Sequence, residues 1–438
     1  MKKILLSIAA GLTAASYGET LTIDLPAALK LADERNTELA VQVQNVTQAE
    51  LEKSAAWYQW VPTLRIGAGY AYQDGALQET SGSVIDAERN SRYLGMGSMT
   101  APGLAFNLDF SEAVFAPLAA KQQLRAQQFS EESIRLQVML DVAAAYYELV
   151  RATHEVEVTR EAAGHAEALA KQTADFAASG QGLQADAERA EVESLIQQQK
   201  AEMVEERKHI ASYHLARLLR LEPEVALIPA HHLITPLLLV DSDTELEDLV
   251  IQALEVRPEI GQYRAEAAAE QARLKQEKYG IFFPKLEVGY SYGNFGGGTG
   301  TGNDYDDGRS DLYGMLYWEF DSLGLRNRNR MKHHQAEMTK AKAQQEQAAA
   351  DIAAEVRVAH TAFKSAARQI DLAKRAVDRA RKSYELNSER IFENQGLPLE
   401  ALQSIRALAD AESLYLATAA KYNMAQLRLL SATGNELE

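Results

Sequence analysis

The sequence predicts a mainly helical chain built twice on one plan, each copy joining two barrel-type strands to a helical hairpin of unusual length. Three observations predict it. Helix-forming and strand-forming residues are segregated along the chain, the order of segments repeats at an offset of 221 residues, and the strand segments alternate with period two.

The chain opens with Lys2, Lys3 and a short apolar run to Leu12, too short to span a bilayer. Residues 1–18 therefore read as a secretory leader, with Ser16 and Gly18 supplying small residues for cleavage. No later segment has eighteen consecutive apolar residues, so any span must be made of strands. Cysteine is absent, which removes disulfides, thiolate metal sites, catalytic thiols and an N-terminal lipid anchor together. The formal charge of −17 becomes −19 once Lys2 and Lys3 leave, an acidic balance that disfavours nucleic acid.

The first repeat is expected over 19–240 and the second over 241–438. Asp24-Leu25-Pro26-Ala27-Ala28-Leu29 is echoed by Glu245-Leu246-Glu247-Asp248-Leu249, and Trp57 to Leu64 by Tyr279 to Leu286. Each half starts with helical sequence, Leu25 to about Gln59 and Leu246 to about Tyr279, and stops before a proline. Pro258 is expected to split the second helix in two.

After Pro62 and Pro284 the period changes to two. Strands are expected at about 63–73, 103–111, 285–293 and 312–320, joined by long polar loops over Asp74–Ala101 and Asn294–Asp311. Leu64, Ile66, Tyr70, Leu286, Val288 and Tyr290 make up the apolar faces and are the lipid-facing candidates. Four strands cannot close a barrel, and lipid offers an open edge no hydrogen bonds. Two chains are the minimum, and three would give twelve strands and a usable pore.

From Leu118 to about Ser179 no proline interrupts, and the second half carries a matching run. Ile352, Val356, Ala359, Phe363, Ala366, Ile370 and Ala373 step by four and three, a seam that needs partner helices. The turns Gln181-Gly182-Leu183 and Gln395-Gly396-Leu397-Pro398 close the hairpins.

Over its whole mature length the chain resembles the outer-membrane efflux protein (TolC) family. The resemblance rests on the paired Leu-rich openings, the helix-Pro-strand transitions at Pro62 and Pro284, Phe115-Ala116-Pro117 ending strand two, the two hairpin turns, and Tyr422-Asn423-Met424-Ala425-Gln426 running to Thr433-Gly434. It implies a homotrimer with a twelve-stranded barrel in outer-membrane lipid and a periplasmic α-barrel. A periplasmic adaptor and an inner-membrane pump are the implied partners, making the chain the passive exit duct of a tripartite efflux or type I secretion system. A periplasmic coiled-coil or adaptor-like protein without a pore is the alternative. The chain departs from many relatives in having no lipid-bearing cysteine, and from some in having Gln403 where a second carboxylate would follow the one matched by Glu400.

Asp186 and Glu400 stand four residues past Gly182 and Gly396, where a carboxylate suits the helix dipole without any further role. The resemblance implies that they, with Gln403, lie at the periplasmic gate, and that Gly182, Leu183, Gly396, Leu397 and Pro398 form tips that dock the adaptor. Arg326, Arg328, Arg330 and Lys332 read either as a solvated helix start or as contacts for lipid phosphate. His231-His232 and His333-His334 supply too few ligands for a metal. With no catalytic triad order, phosphate loop or zinc signature, neither an enzyme nor a cofactor is expected.

Overall fold

The computed structural model describes residues 20–222, 224–231, 233–241, 244–302, 305–392 and 397–435, so the expected leader, His232 and Gly396 lie outside the described residues. In chain order the elements are β1 (Thr20–Ile23), α1 (Leu25–Arg35), α2 (Thr37–Trp57), β2 (Thr63–Leu64), β3 (Ile66–Gln78), β4 (Val84–Met96) and β5 (Leu104–Asp109). The long helix α3 (Phe110–Ala178) and its return α4 (Gln184–Leu218) follow, then β6 (Ala226–Pro229), α5 (Leu246–Val256) and α6 (Pro258–Gly280). The chain closes with β7 (Lys285–Thr299), β8 (Tyr305–Tyr317), α7 (Leu325–Phe392) and α8 (Pro398–Ala432). Among the described residues no helix is long and apolar enough to cross a membrane.

Two compact units cut across the two sequence halves. One takes in residues up to Val43, Glu131–Pro258 and Ala348 onward; the other takes in Gln44–Ser130 and Glu259–Gln347.

The second unit holds the sheet. Its six strands run along four lines, because β2 continues into β3 across Arg65, and β4 and β5 lie end to end along β7. The expected long loops are instead mostly strand: β3 and β4 pair without a break from Ile66↔Met96 to Gln78↔Val84, and β7 and β8 from Lys285↔Tyr317 to Gly297↔Tyr305. Polar cross-strand contacts replace the apolar alternation there, as where Tyr72 Oη donates to Glu88 at 2.5 Å and Arg89 to Gln73 at 2.9 Å. The real interruption is residues 97–103, where Gly97 at φ +111° turns the chain out and Arg65 bridges the gap through backbone bonds to Gly97 and Gly103.

Two expected boundaries also move. Strand two ends at Asp109 and not at 111, because the Asp109 carboxylate accepts from the backbone N–H groups of Ser111 (3.0 Å) and Glu112 (3.2 Å) and starts α3 there. Pro117 thus falls inside α3 and does not end the strand, at the loss of one helical hydrogen bond. The last strand stops at Tyr317, leaving Trp318 and Phe320 beyond it.

The first unit is helical, with the small parallel pair β1–β6 at its side. Val142, Leu149, Leu215, Leu219 and Leu416, each almost wholly buried, centre a core shared by α3, α4 and α8. The opening helices of the two halves break at equivalent places. Pro258 starts α6 as expected; in the first half Asn36 does the same work, its Oδ1 accepting from Glu38 and Leu39 N–H. Each break residue also reaches the C-terminus of its own half's return helix. Asn36 Nδ2 donates to Leu218 O at 3.1 Å, and Arg257 Nη1 to Ser431 O at 3.2 Å, satisfying carbonyls left over at helix ends.

The closing motif acquires a structural role. Asn423 and Gln426, both almost wholly buried, pin the linker after β6: Leu237 N–H donates to Asn423 Oδ1, Leu239 N–H to Gln426 Oε1, and Gln426 Nε2 donates to Leu237 O at 2.8 Å. Gln426→Leu removes the partners of Leu239 N–H and Leu237 O and is expected to cost about 1–2 kcal/mol, since these half-buried groups can turn in part to water. A drop in the midpoint of thermal unfolding checks it.

Candidate gate, docking tips and membrane face

Residues paired directly across strands share a face, so the register sorts the sheet's side chains. Leu64, Leu104, Tyr290 and Leu312 form one row; Leu108, Leu286 and Leu316, and Phe106 and Val288, form the rows on one side of it. Ile66, Met96 and Tyr292, then Ala68 and Leu94, form the rows on the other. The candidates Leu64, Ile66, Leu286, Val288 and Tyr290 are thereby brought onto one apolar face. Tyr70 shares that face but sits at its rim, opposite Arg92, whose guanidinium binds Asp306 at 2.5 Å. From Leu286 to Asn294 the band runs about 27 Å along β7, at ~3.4 Å per residue. At the usual tilt of barrel strands this projects to about 20 Å along a barrel axis. The opposite face carries Thr63, Asn107, Glu287, Ser291 and Asp311, with the Tyr313 ring lying over Gly289 and its hydroxyl donating to Glu287 at 3.1 Å.

The two return helices start alike. Leu183 and Leu397 are the N-cap residues of α4 and α8, with φ/ψ of −89°/135° and −91°/133°, and neither helix has a side-chain cap. Pro398 opens α8, and Asp186 and Glu400 occupy the first turns, their N–H groups bonded to Leu183 O and Leu397 O. Gly182 lies against the end of α3; a Cβ there would come within 3.2 Å of Phe176. Both leucines are exposed, at 69 % and 63 %.

Gly182, Leu183, Asp186, Leu397 and Pro398 line one hollow of about 390 Å³ together with Phe176 and Ile391, so the structure brings one gate candidate and the described docking candidates together. Gln403 lies apart, in a neighbouring hollow of about 400 Å³ between α4 and α8 that also includes Val192 and Leu399. Asp186 makes only a loose 3.7 Å pair with Arg189 one turn on. Glu400 is held at 3.0 Å by Arg390, from the last turn of α7 in the same hairpin.

Sequence reading misses a charged contact of this region that involves a buried carboxylate. Glu193 on α4 is only 3 % exposed, and it accepts from Gln197 at 2.6 Å and from the Arg406 guanidinium on α8. Burial by itself would raise the Glu193 carboxyl's pKa, but the bonds from Arg406 and Gln197 outweigh it and hold the pKa below the usual glutamate value. Lys200 and Asp410, at 3.7 Å, repeat the α4–α8 pairing further along. A glutamate four residues before a glutamine is ordinary helix surface by pattern, so nothing short of the pairing singles it out. The histidines differ as well: His334 is half-buried and bonded to Glu270 at 2.8 Å, while His154 keeps a buried, unpartnered Nδ1 and has its pKa lowered by burial. Among the described residues no cluster is able to hold a metal ion.

Residues 249–435 match the family model described as Outer membrane efflux protein. No protein of curated function matches the chain in sequence. Among solved structures, a membrane protein from Pseudomonas aeruginosa aligns at 20 % identity over 94 % of this chain and 93 % of its own, with a TM-score of 0.76. The outer membrane protein VceC from Vibrio cholerae aligns at 17 % identity over 94 % and 97 %, with a TM-score of 0.73. The CmeC outer membrane channel of Campylobacter jejuni aligns at 16 % identity over 94 % and 85 %, with a TM-score of 0.75. The second half of the chain thus matches the Outer membrane efflux protein family model, and both halves share the fold of these solved membrane proteins.

Proposed function

We propose that this chain, as a homotrimer, is the exit duct of a tripartite efflux or type I secretion system, passively conducting what an inner-membrane pump delivers through a periplasmic adaptor. The observation that carries the proposal is the apolar face shared by all four strand lines of a sheet whose outer lines, β2 with β3 and β8, each have one edge unpaired among the described residues. An apolar sheet with open edges is stable in lipid only when other copies close it.

The gate belongs to the hairpin tips in this reading. Leucine is a poor N-cap, costing about 1 kcal/mol against Ser or Asp, so Leu183 and Leu397 are unfavourable for their own helices. Their exposure beside a shared hollow suits them to receive the apolar tip of an adaptor hairpin. Asp186 and Glu400, in three copies each, place six carboxylates around the inner end.

Planar-bilayer recording of the Asp186→Ala, Glu400→Ala double variant tests the gate. The Arg390 contact ties Glu400 within one hairpin, so the larger expected change is weaker cation preference and weaker block by divalent cations, with modestly raised conductance. A variant that assembles normally and matches the parent in conductance, ion preference and block removes both residues from the gate.

A further inference from the structure

The protein's three tryptophans all lie where helices meet the sheet: Trp57 ends α2, Trp60 precedes β2, and Trp318 follows β8, its Nε1 donating to Phe282 O at 3.4 Å. All three are exposed, as is Phe320. Just beyond Phe320 the chain makes an uncommon turn. Ser322 (φ 50°) and Leu323 (φ 54°) are consecutive non-glycine residues in the left-handed region, and Gly324 follows at φ +85°. That turn holds Leu323 out at 93 % exposure, and Leu325 next to it is also exposed.

The helix that follows is oriented by contacts on its other side. Asn327 Nδ2 donates to Glu277 O at 2.7 Å and to Glu277 Oε2 at 2.8 Å, and His334 is bonded to Glu270, all on α6. The outward edge consists of Leu325, Arg328 and Lys332, spaced by three and four and therefore stacked on one face, all exposed. Arg326 and Arg330 are engaged by Asp321 and Glu277, whereas Arg328 and Lys332 make no ion pair among the described residues.

Resting on the membrane-channel reading above, we infer that this edge is a binding site for an anionic phospholipid of the adjoining leaflet. Leu323 and Leu325 enter the acyl layer beside Trp318 and Phe320, and Arg328 and Lys332 hold the phosphate. Two observations commit the surface to lipid and not to protein. It continues the apolar face of β8, where Leu312 and Leu316 are exposed, and it passes from apolar to aromatic to cationic in the order of a bilayer interface. Long basic side chains with apolar stems suit that depth, the stem staying in the apolar layer while the charge reaches phosphate.

The test uses the tryptophans as native reporters. The purified trimer is reconstituted in vesicles of phosphatidylcholine with phosphatidylglycerol, one lipid at a time carrying brominated acyl chains that quench indole emission, and conductance confirms assembly. Brominated phosphatidylglycerol is expected to quench more strongly than brominated phosphatidylcholine at equal mole fraction, with a preference of roughly fivefold for each cation. Arg328→Gln with Lys332→Gln should abolish that preference while leaving conductance and total quenching intact, and Leu323→Asp should weaken quenching by both lipids alike. Equal quenching by the two lipids in a conducting parent trimer overturns the inference, as does a preference unchanged in the double variant. Absence of any conducting trimer would count against the channel reading itself.

Discussion

Arginine at Ile66 or Val288 is expected to block assembly of the barrel. Both residues sit on the apolar face one row from its middle, Ile66 opposite Met96 and Val288 opposite Phe106, and Ile66 is 79 % exposed on the single chain. Near the bilayer midplane such a substitution costs about 2–4 kcal/mol per site, and the proposed trimer would meet it three times. Gly67 is a poor control for the other face, because a Cβ there would come within 3.3 Å of Gly97 O. Asn107, exposed on the polar face opposite Glu287, is the better one. Unboiled electrophoresis of outer-membrane fractions should show trimer for the parent and Asn107→Arg, and little or none for Ile66→Arg or Val288→Arg. Equal loss from both faces would sink the assignment of inside and outside.

The second large effect belongs to Arg406. Removing it leaves the Glu193 carboxylate buried on α4 with Gln197 as its remaining hydrogen-bond partner and only the more distant charge of Lys200 to balance it. Such losses cost 3–5 kcal/mol where both partners are buried; Arg406 is half-exposed, so about 2–3 kcal/mol is expected here. Arg406→Ala should lower the unfolding midpoint of the trimer and raise conductance as α4 and α8 loosen near the tips. Glu193→Gln combined with Arg406→Gln should recover much of both, since the amides keep Gln197 bonded and no charge is left stranded. The pH dependence has a definite sign. The pKa of Glu193 is lower folded than unfolded, so its contribution is complete at neutral pH and is lost only as the pH falls through that lowered value. Coupling between α4 and α8 should therefore hold through mild acid and fail below the ordinary glutamate range. A parent whose stability already declines steadily from pH 7 to 5, with Arg406→Ala declining in parallel, would assign the pH dependence to other groups.

The sequence by itself determined the helical hairpins, the number of strand lines and the apolar side of the sheet. These depend on periodicity, and a seam stepping by four and three or an alternation of Leu64, Ile66 and Ala68 survives in one dimension. It also carried the tip geometry, since the repeated Gly-Leu pairs at 182–183 and 396–397 precede matching helix starts. The strand ends were harder to read. Beyond the apolar rows β3 and β4 carry polar side chains, so apolar alternation lapses and polar pairs such as Tyr72 with Glu88 hold the ladder. The start of α3 was signalled by Asp109 and Glu112, yet Pro117 is the more conspicuous mark, and it misleads because a helix tolerates a proline at the loss of one bond once tertiary packing supports it. Only the tertiary structure decided that Asn36 and Arg257 close equivalent helix ends, that Asn423 and Gln426 pin the linker between the repeats, and that Glu193 meets Arg406. Each of these is a contact between residues more than 170 positions apart, or nearly 190 along the chain for the linker, and a polar side chain carries no local sign of a partner brought to it by folding.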